Sequence, residues 1–395
     1  MTAPAPSRES RAATTIHLAP VVLPMTGEEI RDGGVAIAAG HVTAVGVRAE
    51  LLRDNPAARV REWPGVMTPG LVNAHTHLEY GPPFADLAVS GLPFASWIGS
   101  LSERRRAMSP ADWLAAARGS VAALLRSGTT CIGDVVTVGP GIAAAARASL
   151  AGISYVEAVG ADDAGGAAEL ARVSAVIRGA PPGRVLGISP HALYSLSAGV
   201  FRELVALART HRMRLHTHLA ESAEEAEYVA AGLGAIADQL RRLSFDHDLL
   251  GCGSGVSPAA HLAALGGLGG DVHVAHGVHL DEADRALLRR HGTAVALCVR
   301  SNRTLGAGDP PVAAHLAEGS PICVGTDSLA SSPSLDLVAE LAALRDLAVD
   351  QGAARDDLER RLVEAATVGG AAALGLAGQA GVLAPGCRAD LAVYD

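Results

Sequence analysis

The chain of 395 residues contains no lysine, and all 32 residues of its Lys+Arg count are arginine. Without lysine there is no Schiff-base enzyme of the pyridoxal-phosphate or aldolase kind. There is no Walker-A phosphate loop and no kinase-type ATP lysine. A carbamylated lysine bridging two metals, as in many barrel hydrolases, is excluded too. Aromatic residues are scarce at 3%, so the large core implied by 49% apolar residues is built from Ala, Val, Leu and Ile. The net charge of -9 and the lack of a long basic block argue against a nucleic-acid partner. The one basic cluster, Arg104–Arg106, reads as the solvated face of a helix.

Other absences narrow the field further. No uncharged apolar run reaches 18 residues, so no membrane span is expected. Residues Met1–Ala13 lack the apolar stretch of a secretory signal. Cys131, Cys252, Cys298, Cys323 and Cys387 are scattered and never spaced C-x-x-C. That usage points to a reducing, cytoplasmic setting and away from a structural zinc knuckle. The sequence has no H-E-x-x-H, no P-C-x-x-C and no G-x-S-x-G. Zincin proteases, the cytidine-deaminase zinc signature and the nucleophile-elbow hydrolases are thereby set aside.

What is present has a clear rhythm. Residues 14–62 read as short strands separated by glycine turns, among them Ile16–Leu18, Gly34–Ala38 and His41–Val45. From about residue 68, short apolar strands alternate with alanine-rich helical stretches. The strands expected are Leu71–His77, Thr129–Asp134, Ile153–Val159, Val185–His191, Met213–Leu219, Asp271–His276, Ala294–Cys298 and Pro321–Asp327. Helical periodicity fills the intervals, as in Ala111–Arg126, Ala198–Thr210, Asp281–Arg290 and Leu335–Leu347. Eight such units predict an α/β fold, a (β/α)8 TIM barrel over 68–374. Residues 1–67 and 375–395 are expected to form a small β domain from both chain ends. Gly232–Ala237 matches a dinucleotide pattern, but it follows a helix and reads as a turn.

The 15 histidines are concentrated at strand ends. His75 and His77 form H-x-H at the end of the first barrel strand, and residues i and i+2 of a strand point the same way. Both imidazoles can therefore reach one metal. His216 and His218 repeat the spacing on the fifth strand and are followed by Glu221. His276 ends the sixth strand and Asp327 the eighth. All lie where barrel enzymes place their sites. Histidine nitrogens with one carboxylate suit zinc and leave a position for water, whose pKa the metal lowers toward about 7.

Several runs carry a family likeness. They are Met67–Glu79, Ser189–Ser195, Cys298–Asn302 and Gly325–Ser331. The chain resembles the amidohydrolase superfamily in its nucleobase and nucleoside deaminase branch, most of all the aminodeoxyfutalosine deaminase group of the futalosine route to menaquinone. It departs from that group at Val299, where proline is usual, and at Ser332, where asparagine is usual. The resemblance implies one divalent metal, zinc before iron, held by His75, His77, His218 and Asp327. It implies Glu221, His276 and Asp327 as the groups acting on substrate. His216, which faces the same side as His218, is a rival ligand, better read as a buried supporting group. Glu79 and His191 are candidates for substrate contacts, and Arg300 for a substrate carboxylate. Glu157 ends the third strand and either lines the site or pairs beneath it. His279 reads as a surface or capping residue. The segment Glu79–Leu101, with Phe84, Phe94 and Trp97, is expected to carry specificity.

The activity implied is hydrolytic deamination of an adenine-type nucleoside, with 6-amino-6-deoxyfutalosine first. Methylthioadenosine, S-adenosylhomocysteine or adenosine come next, then guanine or a triazine. The partner is thus a small nucleoside-like molecule, and the resemblance allows a homodimer. Two other classes stay open: hydrolysis of an amide or ring C–N bond on the same scaffold, and a non-catalytic protein that kept the fold.

Overall fold

A computed structural model describes residues 13–89, 91–92, 94–160 and 162–395, and of Phe94 and Ala95 the backbone only. Two compact units are present: residues up to Gly70 together with Gly378–Asp395, and Leu71–Ala377. The first five strands, β1 (Thr15–Val22), β2 (Ile30–Ala38), β3 (His41–Val47), β4 (Arg59–Glu62) and β5 (Val66–Pro69), belong to the smaller unit. The next eight are β6 (Leu71–Thr76), β7 (Thr129–Val136), β8 (Ala151–Ala158), β9 (Val185–Pro190), β10 (Leu215–Leu219), β11 (Val272–His276), β12 (Ala294–Leu297) and β13 (Ile322–Val324). The last strand, β14 (Leu391–Tyr394), returns to the smaller unit and pairs antiparallel with β5.

In the smaller unit the sheet order is β14-β5-β1-β2-β3, with β4 beside β1. Its core is Ala19, Val22, Val35, Val42, Met67 and Leu383. A second buried cluster, Ile16, Leu18, Ala36 and Leu51, uses the intervening residues of β1 and β2, so these two strands contribute to both clusters. Met67 and Thr68 lie in this sheet rather than in the first barrel strand, and the chain changes unit at Gly70.

In the larger unit β6 to β13 pair in sequence order, all parallel. The ring closes where Thr326 and Asp327 both donate their amides to the His75 carbonyl, at 3.1 and 3.0 Å. This is a (β/α)8 barrel with a separate β-sheet domain built from the chain ends. Strands β6, β10 and β11 are buried at every residue, as parallel strands under a ring of helices must be. The helices are amphipathic: Ala198–Thr210 buries Val200, Phe201, Leu204, Val205 and Ala208 on one stripe. Pro110–Arg126 and Glu282–His291 start on capping boxes, Ser109 with Asp112 and Asp281 with Asp284. Gly232 ends the helix Ala223–Ala231 in the left-handed conformation, so only Gly232 and Leu233 form the expected turn and Gly234–Ala237 already opens the helix Gly234–Arg242. Among the described residues, no helix is long and apolar enough to cross a membrane.

Candidate active site

The C-terminal ends of the barrel strands surround a cavity of about 350 Å3. His77, Glu157, His191, His218, Glu221, His276 and Asp327 all line it. His75 is fully buried beneath them. The Nε2 atoms of His77 and His218 are 3.3 Å apart. Asp327 Oδ1 stands 3.6 Å from His75 Nε2 and 3.5 Å from His77 Nε2. Atoms at about 2.0–2.1 Å from a tetrahedral ion lie about 3.3 Å from each other. These three separations are those of donors around one ion, and His75, His77 and His218 form one group able to hold a metal, as do His75, His276 and Asp327.

Their protonation also fits. Burial pushes His77 down to about 3 and lowers His75 and His218 as well. All three are neutral imidazoles with lone pairs to give. His218 donates its Nδ1–H to the His191 carbonyl at 2.9 Å, which leaves the Nε2 lone pair free to bind a metal. Neither ring nitrogen of His75 has a hydrogen-bond partner, nor has His77 Nδ1. Buried polar atoms without partners are costly, and a metal relieves His75 Nε2. Burial opposes ionisation of Asp327, but His75 and His77 outweigh it and hold the carboxyl well below its ordinary range.

The surrounding hydrogen bonds explain the family-like runs. Ser301 and Ser331 donate to Asp327 Oδ2 at 2.8 and 2.6 Å, which turns Oδ1 toward the histidines. His276 Nδ1 donates to Asn302 Oδ1 at 2.9 Å, and its Nε2 lies 3.6 Å from Glu221 Oε1. Burial raises Glu221. Burial opposes protonation of His276, yet the Glu221 and Asp327 carboxylates bring its net shift upward. Glu225 accepts the amides of Ala220 and Glu221 at 2.9 and 2.8 Å and so fixes the turn that presents Glu221. Ala220, His276 and Asp327 have φ of 51°, 75° and 57°, a left-handed backbone that is uncommon outside glycine and recurs at functional sites.

Three candidates are placed differently from expectation. Glu79 does not line the cavity: its carboxylate accepts the amides of Thr137, Val138, Gly139 and Gly141 at 3.0, 2.7, 2.7 and 3.1 Å. It caps the helix Pro140–Arg147, whose entry needs Gly139 at φ 124°. Arg300 does not line the cavity either. Its guanidinium donates to Ser334 Oγ at 2.9 Å, beside the start of the helix Leu337–Asp350. Arg104–Arg106 is not simply a solvated face. Arg104 grips Asp86 and Arg106 is exposed, but Arg105 lines the cavity.

The remaining candidates are readily located. His191 Nδ1 donates to Ser195 Oγ, whose own hydrogen goes to the Ala192 carbonyl, so Nε2 is left as an acceptor. His216 lies outside the cavity lining, stacked on His75 at 4.8 Å and bonded to Ser189. His279 packs against the Ala307 carbonyl. Glu157 has one oxygen on Thr137 at 2.6 Å and the other without a partner. Phe84 is core, packed with Tyr80 and Trp113. Trp97 lines the cavity, and the Phe94 side chain lies outside the described residues. The opposite wall, with Ile236, Leu240, Leu243 and Phe245, had no signal in the sequence beyond helical periodicity.

Comparison with known proteins agrees with this geometry. The sequence model of the Amidohydrolase family matches residues 66–395. A 5-methylthioadenosine/S-adenosylhomocysteine deaminase of Haloarcula marismortui is 33% identical over 347 residues, 84% of this chain and 73% of that one. An aminodeoxyfutalosine deaminase of Deinococcus radiodurans is 32% identical over 329 residues, 80% of this chain and 76% of that one. Among solved structures, a zinc-bound adenosine deaminase of Xanthomonas campestris has a TM-score of 0.77 at 25% identity, covering 96% of this chain and 84% of that one. Helicobacter pylori aminofutalosine deaminase with methylthio-coformycin has a TM-score of 0.84 at 22% identity, covering 96% and 92%, a likeness of fold. The chain belongs to the amidohydrolase family and is a hydrolase acting on C–N bonds other than peptide bonds.

Proposed function

We propose that the chain is a metal-dependent deaminase of adenine-type nucleosides. The observation that carries this reading is the convergence of His75, His77, His218 and Asp327 at metal-ligand spacing, with Glu221 and His276 facing the same cavity. Zinc is the proposed ion, with iron(II) as the alternative. Zinc accompanies the Xanthomonas relative. When bound, it would activate a water at neutral pH.

The chain's own groups supply the rest. Glu221, whose carboxyl burial shifts upward, donates a proton to the ring nitrogen beside the amine-bearing carbon. His276 orients the attacking water through Nε2, its ring fixed by Asn302. Asp327 takes the water's proton and passes it to the departing ammonia, while Ser301 and Ser331 keep its carboxylate aimed. His191 and Glu157 hold substrate polar groups through Nε2 and the unpartnered Oε1. The relatives named above support both an aminodeoxyfutalosine and a methylthioadenosine or S-adenosylhomocysteine substrate. The five cysteines are free thiols, which supports a reducing, cytoplasmic setting.

The test is ammonia release by zinc-loaded protein from adenosine, methylthioadenosine, S-adenosylhomocysteine and 6-amino-6-deoxyfutalosine. Release from at least one, abolished by chelation and restored by zinc, is expected. No ammonia from any aminopurine removes the reading. A ring-opened product from a cyclic amide would put amide hydrolysis in its place.

A further inference from the structure

A second cavity, of about 220 Å3, lies at the N-terminal rim of the barrel, where β13 begins at Ile322. The active site is at the other rim, beyond the far end of the same strand. Polar groups of His315, Ser320, Arg361 and Glu364 line this cavity, beside the apolar Ile322 and Val368. His315 is 1% exposed, and neither of its ring nitrogens has a hydrogen-bond partner among the described residues. A buried imidazole left in that state costs free energy, and such a group calls for an explanation. Burial, followed by the charge of Arg285, lowers His315 to about 4. The ring is therefore neutral, with one N–H donor and one lone pair. The helix Leu358–Glu364 runs on into a π turn, Ala365–Gly369, and Gly369 lies so close to β13 that a Cβ would stand 2.7 Å from the Ile322 carbonyl oxygen. Such turns are rare and recur at functional sites.

The charge around the cavity runs against that of the whole chain, which is -9. Arg285 and Arg289 share Glu318, and Arg360 takes Glu364 at 3.1 Å. Arg361 makes no ion pair among the described residues. One of its terminal nitrogens donates to the Leu316 carbonyl, and the guanidinium has further N–H groups to give. The surplus of positive charge suits an anion, and the Glu364 carboxylate in the same lining restricts which one. Glu364 repels an anion that can only accept hydrogen bonds and accepts from one that keeps a proton. Sulfate has no proton to offer. A phosphate monoester loses its last proton with a pKa of about 6. Inorganic phosphate keeps at least one at neutral pH. Its oxygens can take N–H groups of Arg361 and His315, and its O–H can meet Glu364 or the His315 lone pair. We infer that this cavity is a binding site for inorganic hydrogen phosphate, held by Arg361 and His315 and selected by Glu364. The assignment is independent of the deaminase reading above.

The test is calorimetric titration of the zinc-loaded full chain with inorganic phosphate at neutral pH, in a buffer free of other oxyanions. Binding with a Kd on the order of 1 mM or tighter is expected. Sulfate and methyl phosphate should each bind at least about 10-fold more weakly. R361Q should weaken phosphate by about 10- to 100-fold. H315L removes both unpartnered nitrogens and keeps a buried apolar side chain, so it should fold as stably as the parent and weaken phosphate as well. E364Q should narrow the preference for phosphate over sulfate. The assignment is overturned if the parent binds no phosphate or binds sulfate equally well. It is also overturned if R361Q and H315L both bind phosphate like the parent, since the ion would then sit elsewhere, the catalytic metal included.

Discussion

Glu79 offers the sharpest separation of a structural from a substrate-binding role. Its carboxylate is fully buried and accepts the amides of Thr137, Val138, Gly139 and Gly141. Burial pushes the carboxyl upward while these amides pull it back. With all its hydrogen bonds accepted and none donated, the ionised form is the one the geometry favours. In E79Q, one oxygen becomes an amide that cannot accept, so one buried and one partly buried N–H group lose their partner. Each such loss costs about 1–3 kcal/mol, and the helix end loses a compensating charge worth about 0.3–1 kcal/mol. The sum is about 4 kcal/mol, or roughly 6 °C in the melting temperature of a unit this large. Thermal unfolding followed by tryptophan fluorescence reads it directly, since Trp97 and Trp113 both belong to the barrel. The KM for nucleoside measured well below the transition should stay within about twofold of the parent. A variant of parental stability with a raised KM would refute this account and return Glu79 to the substrate.

Three further outcomes are expected. E221Q should keep its zinc, measured by elemental analysis, while kcat falls about 10²- to 10⁴-fold; a loss below tenfold would remove Glu221 as the proton donor. S301A together with S331A should weaken zinc about 10- to 100-fold in chelator competition while the metal-loaded fold persists, and unchanged affinity would show that Asp327 is aimed by other means. For Glu340, burial pushes the carboxyl up to about 7, so the folded state keeps a proton that the unfolded chain releases above about 4.5. Its stabilising effect is complete below that value and is lost as pH rises through 7. E340Q should therefore gain on the parent between pH 5 and 8, by up to about 3 kcal/mol in urea unfolding. Parallel pH profiles would sink this reading.

Much of the site was legible because its logic is local. H-x-H on a strand puts both imidazoles on one side whatever surrounds them, and a parallel barrel gathers all strand ends at one rim. Strand positions picked out His75, His77, His216, His218, His276 and Asp327, and the family resemblance rather than geometry preferred His218 to His216. The runs Cys298–Asn302 and Gly325–Ser331 could be recognised but not explained from sequence. Their reason is that Ser301, Asn302 and Ser331 reach Asp327 and His276 across 26, 26 and 4 residues of chain.

Glu79, Arg300 and Arg105 failed for one physical cause. Glu79 and Arg300 stand just beyond a strand end and Arg105 in the helix Phe94–Ala107, so strand alternation does not fix their direction and the partner decides. Glu79 turned to amides 58–62 residues away, and Arg300 to Ser334, 34 residues away. Arg105 shares a helix with Arg104, which Asp86 claims, and only the packed ring of Tyr80 keeps its neighbour over the cavity. The sequence by itself determined the barrel, the gathering of histidines at its strand ends and, through its missing lysine, the exclusion of a lysine-bridged pair of metals. The tertiary structure alone decided which charged side chains face the substrate, because that depends on which buried donors and acceptors are left unsatisfied once the chain has closed.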